Sequence, residues 1–449
     1  MTEATGGREA FVRRVAGVLG ARIVGFVFSV SASLLTSRLL DRDGQGAYTT
    51  ATTVVGLVFT FAQLGLPSSL TFFASRRRTL ASLRRAGFLV GSSIAFVAVV
   101  LTVALLPAFE GSIARSATGG ELLLGIAALP VLLLSSIGGG ILYGRRRIRT
   151  YTLIQVAQSA ASLVGVVIIV GLLHGGVLGA IGAYVLANGL GAAAVVREVW
   201  RLDPAGGPDE RPTSARELVG YGARLYPSSI TSYFNYRADV LILNALRTPD
   251  AQIGLYGRAV NFAELLFYVP DSISAILYPT VAASSNPESH RIAPAVPRFT
   301  ALVALIAAIG LVPTAYLAIA VVLPRFTGSM VPLVILLPGI VSLSLSKVLS
   351  SYISGLGRPG ATTIAATIAM VVNVLANLVL IPVAGIAGAA AASLLSYTLQ
   401  AAILVVVASR LSGMPVRMFV VPGRDEVRRA LAIPGALRAQ MLQGRARDS

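Results

Sequence analysis

Two arginines set alike in the chain are the residues best placed to do chemistry. Gly20-Ala21-Arg22-Ile23 and, about two hundred residues later, Gly222-Ala223-Arg224-Leu225 each open a long apolar run. An arginine deep in a membrane helix costs about 2.5–3.5 kcal/mol on insertion scales, so a duplicated one points to a pathway or a bound anion. At 1.5 Å per helical residue, Arg22 lies about 10 Å and Arg224 about 9 Å into their predicted spans, and Lys347 about 24 Å along a span running the other way. Lys347 is the only lysine, and it shares a polar stripe with Ser350, Ser351 and Ser354, a face that avoids lipid. Guanidinium binds phosphate oxygens through two parallel hydrogen bonds, so the expected ligand of Arg22, Arg224 and Lys347 is a phosphate or diphosphate. Snorkelling of the three side chains toward the inner headgroups is the alternative.

Carboxylates are unevenly spread. The first-half spans hold none except Glu121 at an edge, whereas Glu264 falls about 15 Å into a second-half helix, near the midplane. Asn261, Tyr268 and Asp271 share its face at spacings near three, four and seven. Glu264 is the candidate titrating group or counter-ion, with Asp239, close to Arg237, and Asp271 in the same class; a structural Glu–Arg pair between helices is the competing reading. Seven of the 14 tyrosines (Tyr221, Tyr226, Tyr233, Tyr236, Tyr256, Tyr268 and Tyr278) crowd into two spans. Interfacial belts account for those near span ends. Tyr226, Tyr233 and Tyr268 lie deeper, and with Asn235 and Asn261 they form the candidate polar lining for a sugar.

A strongly apolar chain must position these groups. Of 449 residues, 55% are hydrophobic and 12% charged, with a mean hydropathy of +0.78, outside the range of soluble domains. Runs long enough to cross about 30 Å of hydrocarbon fall at 15–37, 46–73, 86–107, 121–143, 151–173 and 176–196, then at 218–246, 253–281, 299–323, 330–356, 361–382 and 385–409. The chain is therefore expected to be an all-α polytopic membrane protein of about twelve transmembrane helices. About 27 of the 37 basic residues sit on one side, including Arg76-Arg77-Arg78, Arg84-Arg85, Arg145-Arg146-Arg147 and Arg149. Arg38, Arg42, Arg115, Arg247, Arg258 and Arg325 are assigned to the other. Basic connections stay cytoplasmic, which predicts a multi-pass protein of the cytoplasmic membrane with both termini inside.

Landmarks recur at a nearly constant offset. Gly46-Ala47-Tyr48 matches Gly254-Leu255-Tyr256, Gly144-Arg145 matches Gly357-Arg358, and Gly176-Val177-Leu178-Gly179-Ala180 matches Gly385-Ile386-Ala387-Gly388-Ala389. Six spans per half return the chain to its starting side, so the repeats are parallel, and parallel repeats suit two lobes rocking about a central cavity. The expected organisation is an N-lobe over 1–197, a Pro/Gly-rich linker over 198–217 able to tolerate lobe motion, a C-lobe over 218–409 and a basic tail over 410–449. Within that tail, Asp425 to Leu431 can lie on the inner leaflet, with plain disorder as the alternative. Gly138-Gly139-Gly140 and similar runs read as close helix packing, and Pro67, Pro130, Pro270, Pro313, Pro338 and Pro382 as kinks.

Several classes are excluded. Zero cysteines rule out disulfides and thiolate metal sites, and His174 and His290 are the only imidazoles, so no metal or cofactor is expected. A P-loop needs Gly-x-x-x-x-Gly-Lys, and the one lysine follows a Leu/Ser run. The net charge of +18 is accounted for by loop topology and the anionic inner leaflet, without nucleic acid.

The stretch Leu34-Leu35-Thr36-Ser37-Arg38-Leu39-Leu40-Asp41-Arg42-Asp43-Gly44-Gln45-Gly46-Ala47-Tyr48 resembles the first helix and Gly-x-Tyr turn of the multidrug/oligosaccharidyl-lipid/polysaccharide (MOP) exporter superfamily. Gly254-Leu255-Tyr256, followed by Pro270 and Tyr278-Pro279, and Tyr352-Ile353-Ser354-Gly355-Leu356-Gly357-Arg358 resemble the second-half counterparts. Within the superfamily the chain looks like a polysaccharide-biosynthesis flippase of the Wzx type, over nearly its whole length. The resemblance implies a MATE-like fold of two six-helix lobes around a basic central cavity, and a transporter in place of an enzyme. It implies translocation of a polyprenyl-diphosphate-linked oligosaccharide from the inner to the outer leaflet, with Arg22 and Arg224 on the diphosphate. Implied partners are membrane lipids and a glycan polymerase or glycosyltransferases. Two rivals stay open. A MATE-like drug or cation antiporter would resemble a branch that generally places carboxylates in the first lobe's cavity, where this chain has none. A membrane glycosyltransferase using a polyprenyl-phosphate sugar donor could use Asp41-Arg42-Asp43, although the outer connections are short.

Overall fold

The computed structural model describes residues 2–75, 79–203, 211–283, 288–421 and 423, with side chains placed from residue 20 onward except at 225, 228–229, 275–276, 278–280, 282–283 and 288–294. Arg76-Arg77-Arg78, the linker core at 204–210, the side chains of Tyr278 and His290, and Asp425 to Leu431 lie outside the described residues. Hydrocarbon offers no partner to a free N–H or C=O, so a spanning segment must close its hydrogen bonds internally. Among the described residues the chain accordingly forms helices and no strand.

In the first half these are α1 (Thr2–Leu39), α2 (Arg42–Gln63), α3 (Leu66–Ser75), α4 (Leu80–Ala104), α5 (Leu106–Gly111), α6 (Gly119–Ile126), α7 (Ala128–Gly144), α8 (Ile148–Gly165), extended by a π-turn over Val166–Leu172, and α9 (Gly176–Arg201). The second half holds α10 (Ala215–Ala245), α11 (Asp250–Ala263), a 3₁₀ turn at Glu264–Phe267, α12 (Tyr268–Ala283), α13 (Glu288–Val322), a 3₁₀ turn at Pro324–Ser329, α14 (Met330–Gly355), α15 (Pro359–Ser412) and α16 (Arg417–Val420). Two N-termini are closed by capping boxes, Thr118 with Glu121 and Ser214 with Glu217. Glu121, the one carboxylate at a first-half span edge, is thereby committed to orphan N–H groups.

Eight helices among the described residues are long and apolar enough to cross a membrane, and the pair α2 and α3, bent by 46°, makes a ninth. One of the eight, the 54-residue α15, supplies two passes. Asn373 Nδ2 donates to Ser396 Oγ at 3.1 Å, whereas a straight helix would hold these residues about 35 Å apart. The reversal occurs at Gly385, where φ is 55°. The remaining two passes, α10 and α11 with α12, have the length but carry Arg224, Arg237, Asp239, Arg258, Glu264 and Asp271.

Helix starts at 42 and 148 recur at 250 and 359, 208 and 211 residues later, and the start at 176 is matched by the kink at Gly385 inside α15, 209 residues later. Gly176, with φ 56°, holds the same left-handed position as Gly385. One landmark shifts register. Arg146 and Gly357 both take positive φ after their helices, with matching cap bonds from Arg147 N to Leu142 O and from Arg358 N to Ile353 O. Gly144 therefore corresponds to Gly355, two residues before the Gly357 that sequence matching selects. A Gly-Arg pair is too short a string to fix register, and the cap hydrogen bonds do so.

The chain divides into two compact units, Met1–Gly257 with Val322–Phe326, and Arg258–Val321 with Thr327–Ser449. In the first, α1 packs on α8, with Gly25 facing Val156, while α10 packs on α2 and α3. Leu64 (φ 46°) and Gly65 (φ 69°) break the α2–α3 pass. The backbone of Gly222 lies directly against this break, so close that a Cβ on Gly65 would fall inside contact distance of Gly222 O. Ser69 Oγ donates to Leu218 O at 2.8 Å, and Tyr221 stacks on Phe72 at 4.3 Å. The described flanks of the linker are fastened to the start of α4. Thr79 N donates to Arg211 O, Thr213 N to Ser82 Oγ, and Arg84 Nη2 to the carbonyls of Val199 and Leu202. In the second unit, Leu349, Tyr352 and Ile353 of α14 close a core with Leu404 of α15 and Phe419 of α16.

Two basic residues assigned to loops prove to be helical and buried. Arg84 lies in the second turn of α4, 5% exposed, and Arg258 lies within α11, 3% exposed, over the Phe262 ring at 4.9 Å. Arg84 falls outside its predicted span because α4 starts at Leu80, before the apolar run at 86–107, whereas Arg258 lies within the run at 253–281 and is assigned to a side in spite of it.

The glycine contact yields a test. Gly65→Ala should lower stability by about 1–3 kcal/mol through strain and overpacking, read as a lower melting temperature in detergent. Gly20→Ala, inside α1 with nothing within 4 Å of a Cβ, should not lower the melting temperature.

Candidate functional site

In the first unit, α10 carries most of the predicted residues, and its register decides which are open. Gly222 and Tyr226, four residues apart, share the face against α2: Gly222 meets Leu64 and Gly65, and the Tyr226 hydroxyl donates to Phe61 O at 2.6 Å. That carbonyl belongs to the last turn of α2, whose acceptors lose their helical donors at the break. Arg224, two residues from each, therefore points to the opposite face, and it is exposed. Arg22 on α1 is exposed as well. Neither guanidinium makes an ion pair or side-chain hydrogen bond among the described residues.

Further along α10 the predicted polar residues turn inward. Tyr233 donates its hydroxyl to Thr53 O and lies against Gly56. Asn235 and Asp239 are each 3% exposed. Asp239 accepts from Val240 N at 2.8 Å and from the Tyr256 hydroxyl. At the far end, Asn244 Nδ2 donates to Thr50 Oγ1 at 3.0 Å and its Oδ1 accepts from Ser116 N at 3.1 Å. Here the two Gly-x-Tyr landmarks meet: a Cβ on Gly254 would stand 3.0 Å from Gly46 N, and one on Gly257 2.6 Å from Thr49 Oγ1.

The second unit holds Asn261, Glu264, Tyr268, Asp271 and Lys347. Lys347 Nζ sits 2.7 Å from Asp271 Oδ1 and 4.1 Å from the centre of the Phe267 ring. Two residues proposed for separate roles are thus one ion pair, whose side chains are 19% and 58% exposed. Glu264, half-buried, opens the 3₁₀ turn that interrupts the α11–α12 pass. Asn261 is half-buried and Tyr268 is 50% exposed. Among the described residues no cluster of His, Asp or Glu could hold a metal ion.

Sequence reasoning missed three features: the Tyr256–Asp239 bond, the Lys347–Asp271 pair and the glycine contacts. The first joins groups seventeen positions apart and the second seventy-six, separations that carry no periodic signal. Pro227, inside α10 one turn from Arg224, was available as a signal, since it removes a helical N–H there.

The model of a family described as "Polysaccharide biosynthesis protein" matches residues 11–285. A protein of Haloferax volcanii, "Probable low-salt glycan biosynthesis flippase Agl15", is 26% identical over 216 residues, 46% of this chain and 46% of that protein, so the match spans about half the relative's length. Among solved structures, "Lipid II flippase MurJ, inward closed conformation" aligns with a TM-score of 0.71 at 12% identity, covering 89% of both chains. A "multidrug resistance MATE family transporter of the MOP superfamily" in an inward-facing conformation gives 0.66 at 15% identity, covering 87% of this chain and 98% of that one. At such identities the two structures establish a shared fold.

The buried and exposed carboxylates should behave differently. Tyr256→Phe strips a donor from buried Asp239 and should cost about 1–3 kcal/mol. Asp271→Asn breaks a half-exposed pair, worth about 0–1 kcal/mol. Equal melting temperatures for the two variants would refute this ranking.

Proposed function

The chain belongs to the polysaccharide biosynthesis protein family, and from that premise we propose that it flips a polyprenyl-diphosphate-linked oligosaccharide from the inner to the outer leaflet of the cytoplasmic membrane. In this reading both tails are cytoplasmic, and the lipid-linked sugar arrives on the leaflet near which Arg22 and Arg224 lie. The product serves glycosyltransferases or a polymerase that build surface glycan.

The observation that carries the proposal is the state of the two arginines. Other membrane-level charges have partners within the protein, whereas Arg22 and Arg224 are exposed and make no ion pair or side-chain hydrogen bond among the described residues. A guanidinium held in reserve at that depth suits a diphosphate, which each can grip with two hydrogen bonds. Lys347, in the second unit, is already paired with Asp271, which weakens its case as a phosphate ligand. Tyr226 and Tyr233 have committed their hydroxyl protons to α2 carbonyls, so a sugar meets their rings or acceptor lone pairs. Asp239 already accepts from Tyr256 and Val240, which disfavours it as the carboxylate of a cation antiporter. Glu264, placed where α11 gives way to a 3₁₀ turn, is the coupling candidate.

In cells depleted of related transporters, Arg22→Ala and Arg224→Ala should each leave the protein in the membrane yet cause lipid-linked oligosaccharide to accumulate on the inner leaflet, with Lys347→Met weaker than either. Normal surface glycan in the Arg22→Ala/Arg224→Ala double variant would defeat the proposal, and altered dye efflux with normal glycan would replace it by the antiporter. Glu264→Gln should lower transport while the protein stays in the membrane, and unchanged transport removes Glu264 from coupling.

A further inference from the structure

A second basic feature lies in the first unit, between α8 and α9. Helices α8 and α9 run antiparallel, joined through Gln158 Nε2 to Asn188 Oδ1 at 2.7 Å. Between them is a groove of about 430 Å³. Its walls are apolar along most of its length, Leu153, Ala157 and Ala161 on one side and Leu190 and Ala194 on the other. From Thr150 to Ala161 the groove follows about 16 Å of helix, roughly the depth of one leaflet of a 30 Å core. Only 11% of the apolar window of α8 is buried inside the protein, so much of this helix is left uncovered by its neighbours.

One end of the groove is charged. Arg197 and Glu198 close it, beside Thr150. Glu198 Oε1 is held by Arg201 Nη1 at 3.4 Å. Arg197 has no ion pair or side-chain hydrogen bond among the described residues, and exposed Arg149 adjoins Thr150. The feature is therefore an apolar trough one leaflet deep that ends in an uncommitted guanidinium at the level where headgroup phosphates stand. A lone guanidinium matches a phosphodiester, and the trough holds a single chain.

We infer that this groove seats an anionic phospholipid, with one acyl chain along Leu153, Ala157 and Ala161 and the phosphate on Arg197. Its assignment to the cytoplasmic leaflet rests on the orientation proposed above. The bound lipid is a resident of the lipid-facing wall, distinct from the transported substrate.

The test uses the full chain in nanodiscs of mixed phosphatidylcholine and phosphatidylglycerol, read by native mass spectrometry. The wild-type protein should retain phosphatidylglycerol in preference to phosphatidylcholine. Arg197→Gln should lower that retention about tenfold, the loss of one charge-assisted contact. Ala157→Trp, which fills the trough from its lipid side, should lower it as well, while Arg201→Gln should not. Equal retention of the two lipids by the wild type, unchanged retention in both groove variants, or an equal loss in Arg201→Gln would overturn the proposal. So would recovery of a polyprenyl diphosphate as the retained lipid. Leaflet assignment is read separately, since the chain has no cysteine and Pro212→Cys can be labelled with an impermeant maleimide. Labelling from outside intact cells overturns the cytoplasmic placement and leaves the lipid measurement standing.

Discussion

Backbone-to-backbone contact through glycine is the constraint on which the rest of the first unit depends. Lipid tails are as apolar as leucine, so helices in a bilayer associate through close packing and hydrogen bonds. The α10 helix meets α2 and α3 in this way, at Gly222 against the Leu64–Gly65 break, and the start of α11 meets α2 at Gly254 against Gly46. Between these glycine contacts, Tyr226, Tyr233 and Asn244 reach hydrogen-bond acceptors on α2. Once α10 is held on this face, its register leaves Arg224 on the other.

Several charges on the helices are satisfied within the protein. Arg84 caps the last carbonyls of α9, Asp239 receives a tyrosine proton and a backbone N–H, and Lys347 pairs with Asp271. A charge so neutralised is inexpensive to hold and has little left to offer a ligand. Arg22, Arg224 and Arg197 are different: the protein supplies them with no counter-charge among the described residues. The first two lie on the helices that open the two repeats, where we propose the transport site, and the third at the mouth of the groove proposed to seat a lipid.

The repeat was legible in the sequence because its landmarks are glycines, and glycine is selected by geometry at fixed places. Gly176 and Gly385 share a positive φ, and Gly46 and Gly254 share a close contact. Register was less legible, as the shift of Gly144 from Gly357 to Gly355 illustrates. The boundary of the compact units also differs in kind from that of the repeats. The boundary expected near 198–217 follows the recurrence of sequence landmarks, whereas unit boundaries record packing, and α10 packs with the first half up to Gly257. The linker's described flanks are tied to α4, which a Pro/Gly-rich composition gave no reason to expect.

By itself the sequence determined that the chain is a helical, multi-pass membrane protein with two matching halves, and that an arginine sits within the first helix of each. Hydropathy over some twenty residues and glycine spacing are local quantities, read along one dimension. Which charges are spent was decided only by tertiary structure. Lys347 and Asp271 are seventy-six positions apart, and Tyr226 and Phe61 one hundred and sixty-five. No periodicity spans such distances, since these pairs exist only after helices from distant parts of the chain have been brought into register.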